Sequence, residues 1–255
     1  MEEPSHHTAV IILAAGKGTR MSGGVPKVLT PLGGRPMMSF LLDAVEKAGI
    51  CQKPVAVVGF GAAQVQQAFG DRCDYVLQES QKGTGHAVAC AQEALEGKAD
   101  TVMVLYGDHP LIHPSTIQRL QDFHHKEGCV LTLLTAILED FEDWRKPWDD
   151  FGRVIRNAQG AIERVVEVKD ATPEQRQCRE VNLGLYCFNA RWLWSHIHSL
   201  SNQNVQQEYH LVGLIESAMH EGEAVATMAI DPKESLGVNT PEHLQIAEKF
   251  LKERV

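Results

Sequence analysis

In the first half of this chain, short unbroken apolar runs alternate with stretches of helical periodicity. Val10-Ile-Ile-Leu13, Val55-Ala-Val-Val58, Tyr75-Val-Leu77 and Thr101-Val-Met-Val-Leu-Tyr106 read as strands. Runs with no polar alternation have no face to give to water, so both sides of their sheet must be covered. Between them, Met37 to Ala48 places Phe40, Leu41, Ala44, Val45 and Ala48 on one face of a helix. Thr84 to Leu95 reads as a helix opening at Gly83-Thr84-Gly85, and Pro114 to Lys126 as another. Strand–helix alternation of this kind predicts a parallel sheet covered on both faces. In such sheets ligands bind beyond the carboxyl ends of the strands.

The second half reads differently. Val130 to Ala136 is strand-like, and Glu139 to Asp150 is an acidic, Trp-bearing stretch that reads as a loop. Val154-Ile155, Ile162 to Val168 and Leu183 to Phe188 read as shorter strands, Trp192 to Leu200 and Tyr209 to His220 as helices. Val225 to Ile230 is a late strand and Pro241 to Arg254 a closing helix. No linker or internal repeat divides the chain. The fold class expected is α/β, one domain over residues 1–255 with a Rossmann-like, mostly parallel sheet and a smaller lobe over its mouth.

Composition narrows the function. Lys and Arg number 24 against 33 Asp and Glu, a net charge of −9. That argues against nucleic acid or an anionic membrane as partner, but not against a phosphorylated small molecule held by a few local cations. The longest strongly apolar run, Ala9 to Ala15, is far short of the ~20 residues that span a bilayer. The start of the chain is acidic and polar, without the basic and apolar regions of a secretory signal. Six cysteines include no Cys-x-x-Cys pair and read as reduced thiols of a cytoplasmic protein. The histidine pairs lack cysteine or carboxylate partners at zinc-ligand spacing, and no Gly-x-Ser-x-Gly elbow is present. Trp192 and Trp194 read as residues that pack a helix onto the core.

The richest segment is Leu13-Ala-Ala-Gly-Lys-Gly-Thr-Arg-Met21, followed by Pro26-Lys27. Gly16 and Gly18 let backbone N–H groups approach an anion, and Lys17, Arg20 and Lys27 add three cations near the end of the first strand. Amide donors with fixed positive charge are what a polyphosphate requires. A P-loop is excluded because Ile11 stands where Gly-x-x-x-x-Gly-Lys demands glycine. A dinucleotide fingerprint is excluded because Met21 stands at its third glycine, and Gly59-Phe60 where its acid belongs.

This segment resembles the signature of the sugar-phosphate nucleotidylyltransferases. Within them it is most similar to the uridylyltransferase domain of the bacterial bifunctional N-acetylglucosamine-1-phosphate uridylyltransferase/glucosamine-1-phosphate acetyltransferases. Gln78-Glu-Ser-Gln81-Lys-Gly-Thr-Gly-His86, Leu105-Tyr-Gly-Asp-His-Pro-Leu111, Gly152-Arg153, Val166-Glu167-x-Lys169-Asp170-Ala171, Glu180-Val-Asn182-x-Gly184 and Gly237-Val-Asn239 follow in the family's order. The resemblance implies Mg²⁺-dependent transfer of UMP from UTP to N-acetylglucosamine 1-phosphate, releasing pyrophosphate. It implies a nucleotide-binding part over about 8–137, a sugar-binding lobe over about 138–230 and a C-terminal helix over about 240–254.

The resemblance also assigns roles. Arg20 and Lys27 match the family's catalytic cations on the triphosphate. Leu13, Ala14, Ala15, Gly16, Lys27, Gln78, Gly83 and Thr84 match its nucleotide-binding positions, with Gln78 and Gly83 reading uracil. Tyr106, Gly152, Glu167 and Asn182 match its sugar-binding positions, and Asp108 and Asn239 its Mg²⁺ ligands. One carboxylate and one amide oxygen are a plausible protein share of a Mg²⁺ shell that phosphate and water complete.

Three departures bear on these implications. Glu139 to Asp150 is several residues longer than the Pro/Gly turn that relatives carry before Gly152-Arg153. In Asn202-x-Asn204-x-Gln206-x-Glu208-Tyr209, the acid usual soon afterwards is Gly213. The sequence stops at Val255, before the family's left-handed β-helix, so the expectation is no acetyl transfer and a monomer or small homo-oligomer rather than the β-helix trimer. Two rival readings stay open: the same chemistry with CTP or another sugar phosphate, and a non-catalytic nucleotide-sugar sensor.

Overall fold

The computed structural model describes residues 7–18, 20–21 and 24–254. The N-terminal segment 1–6 and Thr19 of the Gly-rich turn lie outside the described residues.

The chain opens with strand β1 (Thr8–Ala14), and a short 3-10 turn over Lys27–Leu29 leads into the small hairpin β2 (Pro31–Leu32) and β3 (Arg35–Pro36). There follow α1 (Met38–Ala48), β4 (Val55–Val58), α2 (Ala62–Phe69), β5 (Asp74–Leu77), α3 (Thr84–Cys90), α4 (Gln92–Leu95), β6 (Thr101–Tyr106), α5 (Pro114–Glu127) and β7 (Leu131–Ile137). The second half holds a 3-10 stretch over Asp143–Asp150, the hairpin strands β8 (Arg153–Arg156) and β9 (Ile162–Val166), α6 (Pro173–Arg176) and the long β10 (Glu180–Asn189). It closes with α7 (Ala190–His196), α8 (Gly213–His220), β11 (Val225–Ala229) and α9 (Pro241–Glu253). The helix expected over Thr84 to Leu95 is interrupted at Ala91, and the one expected from Tyr209 begins only at Gly213.

The main sheet runs in the order β11-β7-β10-β6-β1-β4-β5. Every pairing along it is parallel except the two made by β10, which is antiparallel to both β6 and β7. The chain leaves β1 toward β4 and β5, then crosses back to lay β6 on the other side of β1. That reversal puts a topological switch point between β1 and β6, where open α/β sheets form their binding crevice. Beyond β7 the chain makes the β8–β9 hairpin and returns through β10, so the intruding strand must run backwards. The hairpin joins the sheet through β10, at Val181↔Arg153.

Alternation along β1 divides the core. Val10, Ile12 and Ala14 join Leu41 and Val45 of α1, Leu120 of α5 and Phe250 of α9 on one face. Ile11 joins Val88 of α3, Leu193 and Trp194 of α7 and Leu214 of α8 on the other. Period-two side chains, each sent to a helical layer, are what an all-apolar strand requires. The six cysteines are free thiols, three of them buried. Among the described residues no helix is long and apolar enough to cross a membrane.

The stretch from Glu139 to Asp150, expected as a loop, is instead seated on the core. Trp148 is fully buried and donates from Nε1 to Ser235 Oγ at 3.0 Å. Trp144 packs edge-on against Trp148 and against Phe250, at centroid distances of 5.7 and 5.3 Å. Acidic residues outnumber apolar ones here, which makes the segment read as solvated, but two indoles bury enough apolar surface to dock it.

Candidate active site

The turn after β1 is shaped by Gly18, whose φ is +60° and where an added Cβ would lie 2.7 Å from Lys27 Cβ. Only glycine meets both demands. Lys27 thereby reaches the tip of β6: its Nζ contacts the Asp108 carboxylate and donates to Asn239 Oδ1 at 2.6 Å. The Arg20 guanidinium donates to the same Asn239 oxygen at 3.4 Å. Asp108 follows β6, and Asn239 sits one residue before Thr240, whose side chain caps α9 by accepting from His243 N. Val238 N donates to Asp108 O at 2.9 Å and ties the two loops together. Four side chains spanning the whole chain therefore converge at the switch point. Lys17, the third cation of the turn, is exposed and lines neither of the cavities described below.

Burial pushes the Asp108 carboxyl upward, but the Lys27 ammonium beside it outweighs this and holds it below the usual carboxylate range. Asp108 Oδ1 is buried and has no hydrogen-bond partner among the described residues. A buried, ionised oxygen that accepts no hydrogen bond, with only the His109 ring nitrogen 3.7 Å away, is an open acceptor for a cation.

Two cavities meet at this cluster. The first, about 440 Å³, is lined by Leu13, Ala14, Ala15 and Gly16 from the end of β1 and by Gln78, Gly83 and Thr84 beyond β5. Gln78 is 3% exposed, and its Nε2 donates to Gly83 O at 3.1 Å and pairs with His86 Nδ1 at 2.9 Å. The loop before α3 is clamped by residues 209–211: Tyr209 N donates to Lys82 O, Gly85 N to Tyr209 O, and Leu211 N to Thr84 Oγ1.

The second cavity, about 380 Å³, contains Tyr106, Gly152, Glu167 and Asn182. It depends on an irregularity in β10, whose register against β7 shifts between Asn182 and Tyr186. Bulges of this sort re-aim side chains beside sites. Gly184 in this bulge has φ +74°, and an added Cβ would lie 3.2 Å from the Tyr106 ring. Asn182 is buried, donates from Nδ2 to the Tyr186 hydroxyl at 2.8 Å and accepts from Gly184 N at 3.1 Å. Burial raises the Glu167 carboxyl above its ordinary value, against the pull of His210.

Several lining residues escaped the sequence reading. Gln206, Glu208 and His210 belong to the strap 204–212, and His243 to the first turn of α9. The motif around Asn204 was visible but pointed to no role. The structure supplies one: Asn204 Oδ1 accepts from Gln206 N and Glu208 N, and Nδ2 donates to Glu208 O, knotting the strap into shape. No local signal marks His243. Pro147, Asp150 and Phe151 bring the 139–151 stretch to the same cavity. Arg20, Thr84, Tyr106, Asp108, Glu208 and Asn239 line both cavities, so the two open onto one junction. A roomier hollow of about 770 Å³ lies around Asp100, Arg191 and Trp194, at the amino end of β6 and away from the switch point.

The fold and this junction define a nucleotidyltransferase. The MobA-like NTP transferase domain matches residues 10–138, and the chain belongs to that family. Among curated relatives, the bifunctional protein GlmU of Geotalea daltonii is 41% identical over 250 residues, covering 97% of this chain and 53% of that protein. The bifunctional protein GlmU of Pelobacter propionicus is 43% identical over 252 residues, covering 98% of this chain and 53% of that protein. The chain thus spans about half the length of the curated relatives it matches. Two solved structures share the fold at low identity. UDP-glucose pyrophosphorylase complexed with UDP-glucose gives a TM-score of 0.74 at 15% identity, covering 97% of this chain and 99% of that one. CMP:2-keto-3-deoxy-manno-octonic acid synthetase complexed with CTP gives 0.68 at 16%, with the same coverage.

Proposed function

We propose that this chain transfers UMP from UTP to N-acetylglucosamine 1-phosphate in a Mg²⁺-dependent reaction, releasing pyrophosphate. The observation that carries the reading is the junction of the two cavities at Arg20, Asp108 and Asn239. It suits a reaction in which two bound substrates meet at one phosphorus. A phosphate oxygen of the sugar phosphate attacks the α-phosphorus of UTP in line. The new P–O bond forms as the α–β bridging bond breaks, and the electron pair leaves with pyrophosphate. Such a transfer needs positioning and charge neutralisation, not a covalent nucleophile.

Arg20 and Lys27 supply the neutralising charge, and the turn after β1 orients the triphosphate through its amides. Asp108 and Asn239 would hold the Mg²⁺, which when bound neutralises phosphate oxygens. Asp108 Oδ1, which accepts no hydrogen bond, and the all-oxygen donor pair suit a hard cation. Gln78 and Gly83 read the uracil edge, while Tyr106, Gly152, Glu167 and Asn182 hold the sugar, Glu167 accepting from its hydroxyls. In this division of labour the nucleotide part covers about 8–137, the sugar lobe about 138–230 and the closing helix about 240–254. Six free thiols accord with a cytoplasmic setting.

A second reading keeps the chemistry and changes the acceptor. Pro147, Asp150 and Phe151, from the longer stretch, line the sugar cavity and favour a different sugar 1-phosphate. Pyrophosphate release tests both. UTP, Mg²⁺ and a panel of sugar 1-phosphates, repeated with CTP, dTTP, GTP and ATP and with chelator, are expected to give release only with UTP, the metal and N-acetylglucosamine 1-phosphate. Release with another sugar alone selects the second reading. Absence of release with every pair refutes the enzyme.

A further inference from the structure

A primary amide reads a base by presenting either its oxygen or its nitrogen, two ends of nearly equal shape and opposite hydrogen-bond sense. Its value as a reader therefore depends on whatever fixes its rotation. Building on the proposal that Gln78 faces uracil, we propose that His86 on α3 is a positioning residue for base selection, holding the Gln78 amide so that only its oxygen is offered to the nucleotide.

The contacts around Gln78 carry the argument. Its Nε2 lies 3.1 Å from Gly83 O and 2.9 Å from His86 Nδ1. A carbonyl oxygen only accepts, so the end facing Gly83 is the nitrogen. That nitrogen has two hydrogens; one goes to Gly83, and the other requires His86 Nδ1 to accept. The imidazole is then the neutral tautomer with its proton on Nε2. Burial, with Lys82 nearby, holds its pKa below the usual histidine range and keeps it in that form at neutral pH. With both hydrogens of Nε2 engaged, the amide has only Oε1 left, an acceptor.

The consequence is a choice between bases. Uracil offers a donor, N3–H, to an acceptor at this position. Cytosine offers a lone pair at N3, which would face Oε1 unpaired. Mispairing in a site built to hydrogen-bond is penalised heavily. Gly83 alone fixes the rotation with one bond, and His86 adds the second. Gln78 is nearly buried, so with His86 in place bulk water does not compete for its amide. Cys90 Sγ lies 4.0 Å from the same Nδ1, one turn along α3, and is a much weaker partner.

The test is the ratio of kcat/KM for UTP to that for CTP, in the wild-type chain and in His86→Phe, His86→Leu and His86→Asn. Removing the acceptor in the Phe and Leu variants is expected to lower the ratio about tenfold, the weight of one hydrogen bond. The Asn variant, whose Oδ1 can accept in place of Nδ1, is expected to keep it. An undiminished ratio in the folded Phe or Leu variants overturns the inference, as does an equal loss in His86→Asn. The wild-type imidazole gives a readout that needs no variant. Its ¹⁵N shifts at pH 7.5 are expected to report the neutral Nε2–H tautomer, and a protonated Nδ1 overturns the assignment. A wild-type chain with no preference for UTP would instead refute the reading of Gln78 itself, and so separates the two failures.

Discussion

The two sides of the junction are built in different ways. The side proposed for the nucleotide draws mainly on two stretches at the carboxyl ends of parallel strands, Leu13 to Gly16 with Arg20, Lys27 and Val28, and Gln78 to Ala87. Apart from Glu208 and Asn239, which it shares with the other cavity, its lining lies within the span 10–138 that the family match covers. The side proposed for the sugar takes Tyr106 from β6, Gly152 from the start of a hairpin, Glu167 from its end, Asn182 from a bulge and His210 from a strap. Only Tyr106 of these lies within that span. A triphosphate is bound largely by backbone amides and point charges, and a short loop can supply both. A sugar is bound by side chains converging from several directions, which one loop cannot supply. The nucleotide side is thus a local structure, and the sugar side is a tertiary one.

Substitutions can break this contrast or sharpen it. The largest effect is expected at the junction, which both sides share. Asp108→Asn should lower kcat by about 10²–10³-fold, the usual weight of a lost electrostatic stabiliser, with the fold intact by circular dichroism. Near-normal turnover in that variant would remove Asp108 from the reaction.

Next comes the frame of the sugar side. Arg153 is fully buried, bonds Arg176 O, Asp149 Oδ1 and Phe151 O, and stacks 4.5 Å over the Phe141 ring. Arg153→Met strands those acceptors and should destabilise the fold by roughly 3 kcal/mol in urea melts. If the two sides are separable, UTP affinity in the folded fraction stays within about twofold while the sugar phosphate KM rises. A parallel fall in UTP affinity would erase the distinction.

Acid acts on the scaffold that both sides share. His124, buried between α5 and β7, has its pKa pushed by burial from 6.5 down to about 4. The folded state prefers it neutral, so the unfolded state takes up the extra proton as pH falls below 6.5. Stability from this group is full above that value and is lost progressively toward pH 4, by about 2 kcal/mol at pH 5. His124→Gln should flatten that part of the thermal-melt profile, and nucleotide and sugar binding should decline together along it in the wild type.

The smallest effect is the most selective. Glu167→Gln keeps the shape of the cavity and weakens the acceptor, so KM for the sugar phosphate should rise about tenfold while KM for UTP is unchanged. Isothermal titration of each substrate separates these outcomes.

These contrasts mirror what could be read from the chain. The apolar runs of β1, β4 and β6 and the helices α1, α5 and α9 were legible to within a residue or two, because period and burial are written locally. The reversed direction of β10 was not, since an apolar run carries no arrow. The docking of Trp144 and Trp148 was hidden behind the acidic residues around them. Among the residues that line the two cavities, Arg20, Lys27, Gln78 and Asp108 stand in contiguous motifs, whereas His243 and His210 carry no local mark.

By itself, then, the sequence determined the strand–helix alternation, the glycine-bearing turn with its cations and the order of the motifs, all properties of neighbouring residues. Tertiary structure alone decided that Lys27 bridges Asp108 to Asn239, that a bulge in β10 turns Asn182 inward, and that the two cavities open onto one junction. These contacts join residues up to 219 positions apart. They form only when the crossing back from β5 to β6 and the return along β10 have brought distant loops to the same end of one sheet.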